Sequence, residues 1–402
     1  MSENITLSSA VQRIKESPTL AVTAKASLLK SQGIDIIGLA AGEPDFDTPE
    51  FIKQGAIQAI NDGKTKYTPV GGIPSLKNAI VDKFKNDNGL DYKAEEIVVG
   101  VGGKQCIFNL CLSVLDAGDE VVIPAPYWVS YEDIAVLTGA EAKIISTTIE
   151  DNFKITAEQL DTTLTEKTKL VFLNSPSNPT GSVYTKEELV QLATVLHKYP
   201  NVIIASDDIY EHINLNDQVF NNIVMVDPSL KDRSVILNGV SKAYSMTGWR
   251  IGYAAGPTKI IKAMTKLQSQ STSNPSSISQ AAAETALRGN NECIAEMVKE
   301  FKLRHTYVVE NINSINGLSC IPAEGAFYAF PYAQDAIDRL FKANVISKNN
   351  DIGLCEYLLD KANVAVVPGS AFGAEGYFRL SFATSMENLV EAISRIKKAV
   401  EI

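Results

Sequence analysis

Between residues 95 and 256, short runs rich in β-branched residues recur at 96–101, 120–124, 169–174, 202–206, 234–238 and 250–255, and most of the gaps are long enough for a helix. Strands that read as near-continuous apolar runs are buried on both faces, and parallel neighbours require a crossover connection. The pattern therefore predicts an α/β chain with a mostly parallel sheet covered by helices. After the first run, Cys106, Ile107, Leu110, Cys111, Val114 and Leu115 recur at helical spacing and predict a helix with one stripe on the sheet. The end of the chain changes character. Residues 378–382 read as a strand, and Ser385 caps a helix that gathers Met386, Leu389, Val390, Ile393 and Ile396 on one face, the marks of a smaller α+β unit.

With 402 residues, 45% of them hydrophobic and 21% charged, the chain has ample length for a large core. Thirty-seven basic against forty-seven acidic residues leave a net charge of −10, which repels phosphate backbones and argues against nucleic acid as a partner. No stretch approaches the roughly 20 apolar residues of a spanning helix, and residues 1–10 are polar, so the expectation is a soluble cytoplasmic protein without membrane partners. The five cysteines, Cys106, Cys111, Cys293, Cys320 and Cys355, show no CxxC spacing, which suggests neither a disulfide framework nor a zinc site. His197, His212 and His305 stand far apart, and no metal is expected. No linker, charge block or internal repeat marks a boundary, so any domains should be interleaved.

The most informative segment runs from Asn238 through Lys242 and Arg250 to Tyr253. A lone lysine after an apolar strand reads as a solvated surface residue. Here it is surrounded by small, hydroxylic and aromatic residues, with an arginine eight positions on. That combination suits a phosphorylated aldehyde: an amine to form a Schiff base, a serine and a guanidinium to hold phosphate oxygens.

At this segment the chain resembles the fold-type I, class I pyridoxal-phosphate aminotransferases. The resemblance extends to the motifs beginning at Ala41, Lys66, Gly102, Pro126, Asn174, Ser206 and Gly376, in family order over most of the chain. Its finer pattern is similar to the bacterial aspartate and aspartate/prephenate aminotransferase subgroup. The resemblance implies pyridoxal 5′-phosphate as cofactor, and a homodimer with shared active sites. It implies a large domain with a mostly parallel central sheet sandwiched by helices, plus a smaller α+β domain formed by the two chain ends. The expected division is 1–48 as N-terminal segment and part of the small domain, 49–290 as the large cofactor-binding domain, and 291–402 as the C-terminal small domain.

The residues can be read beside that resemblance. Lys242 would hold the cofactor as a Schiff base and then move a proton at the substrate α-carbon. Asp207 ends an apolar run; a carboxylate at a strand's C-terminal end is either a helix cap or part of an α/β site, and here it would pair with the pyridine nitrogen. Asn178 and Tyr210 would donate to the phenolate oxygen. Gly102 and Gly103 lie between a strand and a helix, where N–H groups face a phosphate, with Ser241 and Arg250 beside them. The P-loop pattern fails, because Gln105 follows Lys104 and Val98 holds the place of the first glycine. In the family, Trp128 covers the pyridine face, and Tyr67 reaches the phosphate of the neighbouring subunit.

Arg379 lies in an expected strand, a costly place for an unpaired cation. It pairs with an internal carboxylate or awaits a ligand's; the resemblance implies the substrate α-carboxylate, with the backbone N–H of Gly42 nearby. For the distal carboxylate, the subgroup uses a lysine at the phosphate loop, matched by Lys104, and a lysine and threonine near the N-terminus, matched by Lys15 and Thr19. A cation in a helix's first turn opposes the dipole, which favours a ligand role for Lys104. The implied reaction moves the amino group of L-aspartate to 2-oxoglutarate, with prephenate as a further acceptor. The alternatives are a C–S lyase or aromatic aminotransferase of the same fold and, more remotely, an aminotransferase-like transcriptional regulator.

Overall fold

The computed structural model describes residues 5–401. Its strands in chain order are β1 (Ile37–Gly38), β2 (Ile97–Val101), β3 (Glu120–Ala125), β4 (Glu141–Ser146), β5 (Thr168–Asn174), β6 (Ile203–Asp207), β7 (Ser234–Gly239), β8 (Ile251–Ala255), β9 (Tyr328–Ala329), β10 (Val364–Ala365), β11 (Val367–Pro368) and β12 (Phe378–Ser381). Seven of them form one sheet in the order β2-β8-β7-β6-β5-β3-β4. β8 is antiparallel to both its neighbours, and the other pairs are parallel.

All six sequence runs became strands of this sheet. The seventh, β4, escaped the pattern because it is largely exposed: of its residues only Ile145 is fully buried, whereas β2, at the other edge of the sheet, is covered on both faces. Inside the sheet, neighbouring residues alternate between two cores. Val121, Ile123, Leu170, Phe172, Val235 and Leu237 pack on one face; Val122, Val171, Leu173, Ile204 and Ile236 pack on the other. Each such side chain contributes about 1.5–3 kcal/mol on full burial, which is why both faces must be covered by helices. The expected amphipathic helix is present as Gly103–Val114 and buries Cys106, Ile107, Leu110 and Cys111 against the first face. Among the described residues no helix is long and apolar enough to cross a membrane.

A third core gathers the end of the chain. Strands β11-β12-β9 form an antiparallel sheet whose Phe378 and Leu380 pack with Phe301, Phe327 and Leu389. The capped C-terminal helix is Met386–Val400, with the Ser385 hydroxyl accepting from Asn388 N at 3.2 Å. The parallel pair β1–β10 joins residues 37–38 to this region, and Ile37 and Leu39 enter its core.

Beneath the ends of β6 and β7 lies a buried ion pair between Lys83 and Glu211, whose side chains are 3% and 4% exposed. Burial alone would raise the Glu211 carboxyl, but Lys83, His212 and Asn88 reverse this and hold it at about 2. A depressed carboxyl contributes stability above its unfolded value and loses it as pH falls towards the folded one. Glu211→Gln is therefore expected to cost about 3 kcal/mol at pH 7, the lower end for breaking a buried pair, because the buried Lys83 ammonium loses its close counter-charge and keeps only the more exposed Asp87 at 3.8 Å. It should also flatten the loss of stability between about pH 4.5 and pH 2. Urea unfolding of parent and variant at pH 7 and pH 3 measures both, and an undiminished acid loss in the variant would refute the assignment.

Candidate active site

A cavity of about 370 Å³ opens at the C-terminal edge of the parallel strands, between the large sheet and the third core. In such sheets the strand ends diverge into loops that can hold polar groups outside the apolar layer. Asp207 closes β6, and Lys242 follows β7 by three residues. Arg379 is supplied by β12 and Tyr328 by β9, so both sheets contribute to one wall.

Lys242 is half-buried, and its Nζ donates to the carbonyl of Gly42. Burial and then the Arg379 charge lower its pKa to about 8. At pH 7 about a tenth of the amine is therefore unprotonated, far more than for a solvated lysine. Asp207 is buried; its Oδ2 accepts the hydroxyl proton of Tyr131, and its Oδ1 accepts from Ile209 N at 3.3 Å. Burial raises the carboxyl to about 6, with the Tyr131 hydrogen bond opposing the rise. An amine poised to be a nucleophile thus shares the cavity with a carboxylate poised to hold a cation.

The phosphate side is built from backbone. Gly102 has φ +79°, and a Cβ there would collide with the Arg250 guanidinium. A Cβ on Gly252 would run into the Gly102–Gly103 backbone, so β8 and the loop meet with no room for side chains. The helix beginning at Gly103 presents its first N–H groups to this corner, together with Ser241 and Arg250. Residue 250, expected to begin the strand, instead adopts φ +56°, and β8 starts one residue later. That turn lets its Nη1 donate to the Thr247 carbonyl at 2.7 Å.

Arg379 is 2% exposed. It donates from Nη1 to Asn178 Oδ1 at 2.9 Å and from Nη2 to the Ala40 carbonyl at 2.7 Å, so its partners are neutral oxygens and not a carboxylate. Its Cζ lies 4.5 Å from the Tyr328 ring centroid and 5.0 Å from that of Phe372. The Nε is buried without a partner. A desolvated guanidinium with an unmet donor is a costly arrangement unless an anion completes it.

Thr19, Gly42, Gly103, Lys104, Trp128 and Asn178 also line the cavity, as does Tyr210. Lys104 Nζ lies 5.0 Å from the centroid of the Trp128 ring, and burial followed by the Arg250 charge lowers its pKa. Asn178 keeps its amide NH2 free for a ligand, since only its oxygen is used by Arg379. The Gly42 carbonyl, not only its N–H, faces the site. Lys15 and Tyr67 are not brought into the cavity. The Lys15 backbone N is tied to Asp133 at 3.1 Å on the surface, and Tyr67 is 92% exposed.

Two residues escaped the sequence reading. Tyr131 lies in the first turn of the helix Ser130–Leu137, just after Trp128, and its place at the end of the segment beginning at Pro126 was the available signal. Tyr328 sits in an apolar run that reads as core; its hydroxyl, 2.8 Å from that of Tyr210, carried no signal.

These residues fit pyridoxal phosphate: an amine for its aldehyde, an acid for its ring nitrogen, a flat indole, and a glycine-backed corner with Ser241 and Arg250 for its phosphate. The comparisons agree. The family model described as aminotransferase class I and II matches residues 34–396. An aspartate/prephenate aminotransferase of Nitrosomonas europaea is 57% identical over 390 residues, covering 97% of this chain and 98% of that one. A probable aspartate/prephenate aminotransferase of Rickettsia felis is 52% identical over 98% of this chain and 96% of its own. Among solved structures, the aspartate aminotransferase of Rhizobium meliloti superposes with a TM-score of 0.93 at 45% identity over 99% of both chains. That of Thermus thermophilus with maleate gives 0.91 at 41% identity, over 98% of this chain and 100% of the other.

Proposed function

The chain belongs to the class I and II aminotransferases, and from that premise we propose that it moves the amino group of L-aspartate to 2-oxoglutarate, giving oxaloacetate and L-glutamate, with prephenate as a further acceptor. The observation that carries this reading is the buried Arg379 with its unpartnered Nε, in one cavity with Lys242 and a second cation, Lys104. Aspartate and 2-oxoglutarate each bring two carboxylates, and the site offers two cations. The names of the relatives support the choice, as does the four-carbon dicarboxylate maleate in the Thermus thermophilus structure.

Pyridoxal phosphate, when bound, supplies an aldehyde that condenses with amines and a protonated ring that draws electrons from the α-carbon. The phosphate would be held by Gly103, Lys104, Ser241 and Arg250, with Tyr67 of a second copy, and the ring by Trp128 and by Asn178 and Tyr210 as hydrogen-bond donors. Asp207 keeps the ring-nitrogen proton in place. Arg379 and Gly42 would orient the substrate α-carboxylate so that the α-hydrogen faces Lys242, whose free amine would take that proton from the amino donor in one half-reaction and deliver one to the α-carbon of the oxo-acid acceptor in the other. Lys104, with Thr19 beside it in the cavity, would receive the distal carboxylate, and Lys15, which lies outside the cavity, would join them only if the N-terminal segment moved inward on binding.

The test is formation of oxaloacetate from aspartate and 2-oxoglutarate by the purified holoenzyme, with prephenate in place of the oxo acid as a second arm. Absence of turnover with either acceptor would overturn the reading. Lys104→Ser should reduce kcat/KM for aspartate by about 1.5–3 kcal/mol, roughly ten- to a hundredfold, with little effect on an uncharged donor such as phenylalanine. Equal losses for both donors would place the lysine in support of the phosphate loop alone.

The same reading makes the protein a homodimer. Tyr67 projects into solvent, and Ile57 and Ile60, one turn apart on the helix Glu50–Asn61, are 46% and 52% exposed, an apolar strip suited to a second copy. Sedimentation should show twice the chain mass of 43.5 kDa. In the proposed division, 49–290 is the large domain, 291–402 the C-terminal small domain, and 1–48 an N-terminal segment and part of the small domain; the β1–β10 pair, which ties residues 37–38 to 364–365, supports the last of these. The five unpaired cysteines suit the reducing cytoplasm.

A further inference from the structure

Asp207 and Lys242, the two groups that must face opposite parts of one ligand, stand at the ends of adjacent parallel strands, Asp207 as the last residue of β6 and Lys242 in the loop that follows β7. Directly beneath them, Glu211 follows Asp207 by four residues and Asn238 precedes Lys242 by four. The Asn238 Nδ2 donates to Glu211 Oε1 at 2.6 Å, and its Oδ1 accepts from the adjacent Gly239 N at 2.7 Å, so one amide ties the end of β7, from which the Lys242 loop departs, to the turn that follows Asp207. Glu211 is held in turn by the helix Pro74–Asn88: Lys83 pairs with Oε1, and the Asn88 Nδ2 donates to Oε2 at 2.7 Å. Asn238 is 2% exposed, Glu211 6% and Asn88 7%.

Resting on the aminotransferase reading, we infer that Asn238 is a positioning residue: clamped by the Lys83-neutralised Glu211, it sets the Lys242 loop at a fixed height relative to Asp207. A buried ion pair is weak evidence for net stability and is often replaceable by apolar residues, so what this one supports is better sought in the geometry it fixes. That geometry is the bond between the end of β7 and the turn after Asp207. The depressed Glu211 carboxyl keeps the acceptor charged, and a charged acceptor gives the shorter, stronger hydrogen bond. Asn88 supplies an internal control, because it donates to the same carboxylate from the helix side and touches neither loop's functional residue.

The experiment compares Asn238→Leu with Asn88→Leu in the holoenzyme. Both remove one buried donor to Glu211, Asn88→Leu also removing the Oδ1 that accepts from Lys83 at 2.7 Å, and both should lower the thermal midpoint. Only Asn238→Leu should lower kcat, by roughly ten- to a hundredfold with KM for aspartate within about twofold, as a misplacement of a reacting group does. Only it should move the pH midpoint of the bound cofactor's visible absorbance, by about half a unit or more, since the charges around Lys242 (Arg379, Glu43, Arg250 and Asp207) would act from altered distances. Asn238→Ser, too short to reach Glu211, should behave like the leucine variant and serves if that one does not fold. Parental kcat and absorbance midpoint in the Asn238 variants, or an equal fall in kcat for Asn88→Leu, would overturn the inference. A parent that binds cofactor but does not transaminate aspartate would instead defeat the functional reading, and the absorbance midpoints would still decide the role of Asn238.

Discussion

Lys242→Ala is expected to lower kcat for aspartate by about a millionfold, because the residue that binds the cofactor covalently is also the one that moves the α-proton. The cavity supports both roles: burial and the Arg379 charge bring the amine to about 8, so it is available as a base near neutral pH. The remaining cofactor contacts come from other elements, namely the Gly103 helix start, Ser241, Arg250 and Asp207, so the variant should still bind pyridoxal phosphate. What it should lose is the visible absorbance of the lysine-linked form. Single-turnover mixing with aspartate, with cofactor content measured separately, reads both. Activity above a few per cent, or survival of that absorbance, would remove Lys242 from the mechanism.

Asp207→Asn should cost about a thousandfold in kcat with a much smaller change in KM, since a neutral amide cannot stabilise a protonated ring nitrogen while the fit of the substrate is untouched. The side chain is nearly isosteric, and Asn174 Nδ2 bonds the backbone carbonyl of residue 207 at 2.8 Å, so the strand end should stay in place. The Tyr131 hydroxyl, which opposes the burial-driven rise of the Asp207 carboxyl, would be left with a neutral acceptor. The measurement is kcat and KM for aspartate on parent and variant at matched cofactor occupancy. Turnover near the parental rate would mean that Asp207 is a structural carboxylate.

Much of this site was legible along the chain because its parts are local. A helix that starts at Gly103 offers its N–H groups wherever the rest of the protein lies, and an apolar run ending in a carboxylate puts Asp207 at a strand end. Six of the seven strands were legible for the same reason: burial on both faces removes the polar alternation, and a run of β-branched residues remains, even in β2 at one edge of the sheet. β4, at the other edge, was not, because most of its residues stay exposed and its identity depends on what it pairs with.

The roles that depend on distant residues could be settled only by packing. Arg379 could have faced an internal carboxylate or a ligand; β12 places it between Tyr328 and Phe372, with Asn178 and Ala40 as partners and Nε unmet, a choice made by residues up to 339 positions away. Tyr131 and Tyr328 read as core aromatics until their hydroxyls are seen on Asp207 and Tyr210. The brace from Asn238 through Glu211 to Lys83 spans three separate elements. Local chemistry follows from residue type and periodicity, which the sequence determines by itself. Whether a buried polar group finds a partner depends on long-range contacts, and only the tertiary structure decides those.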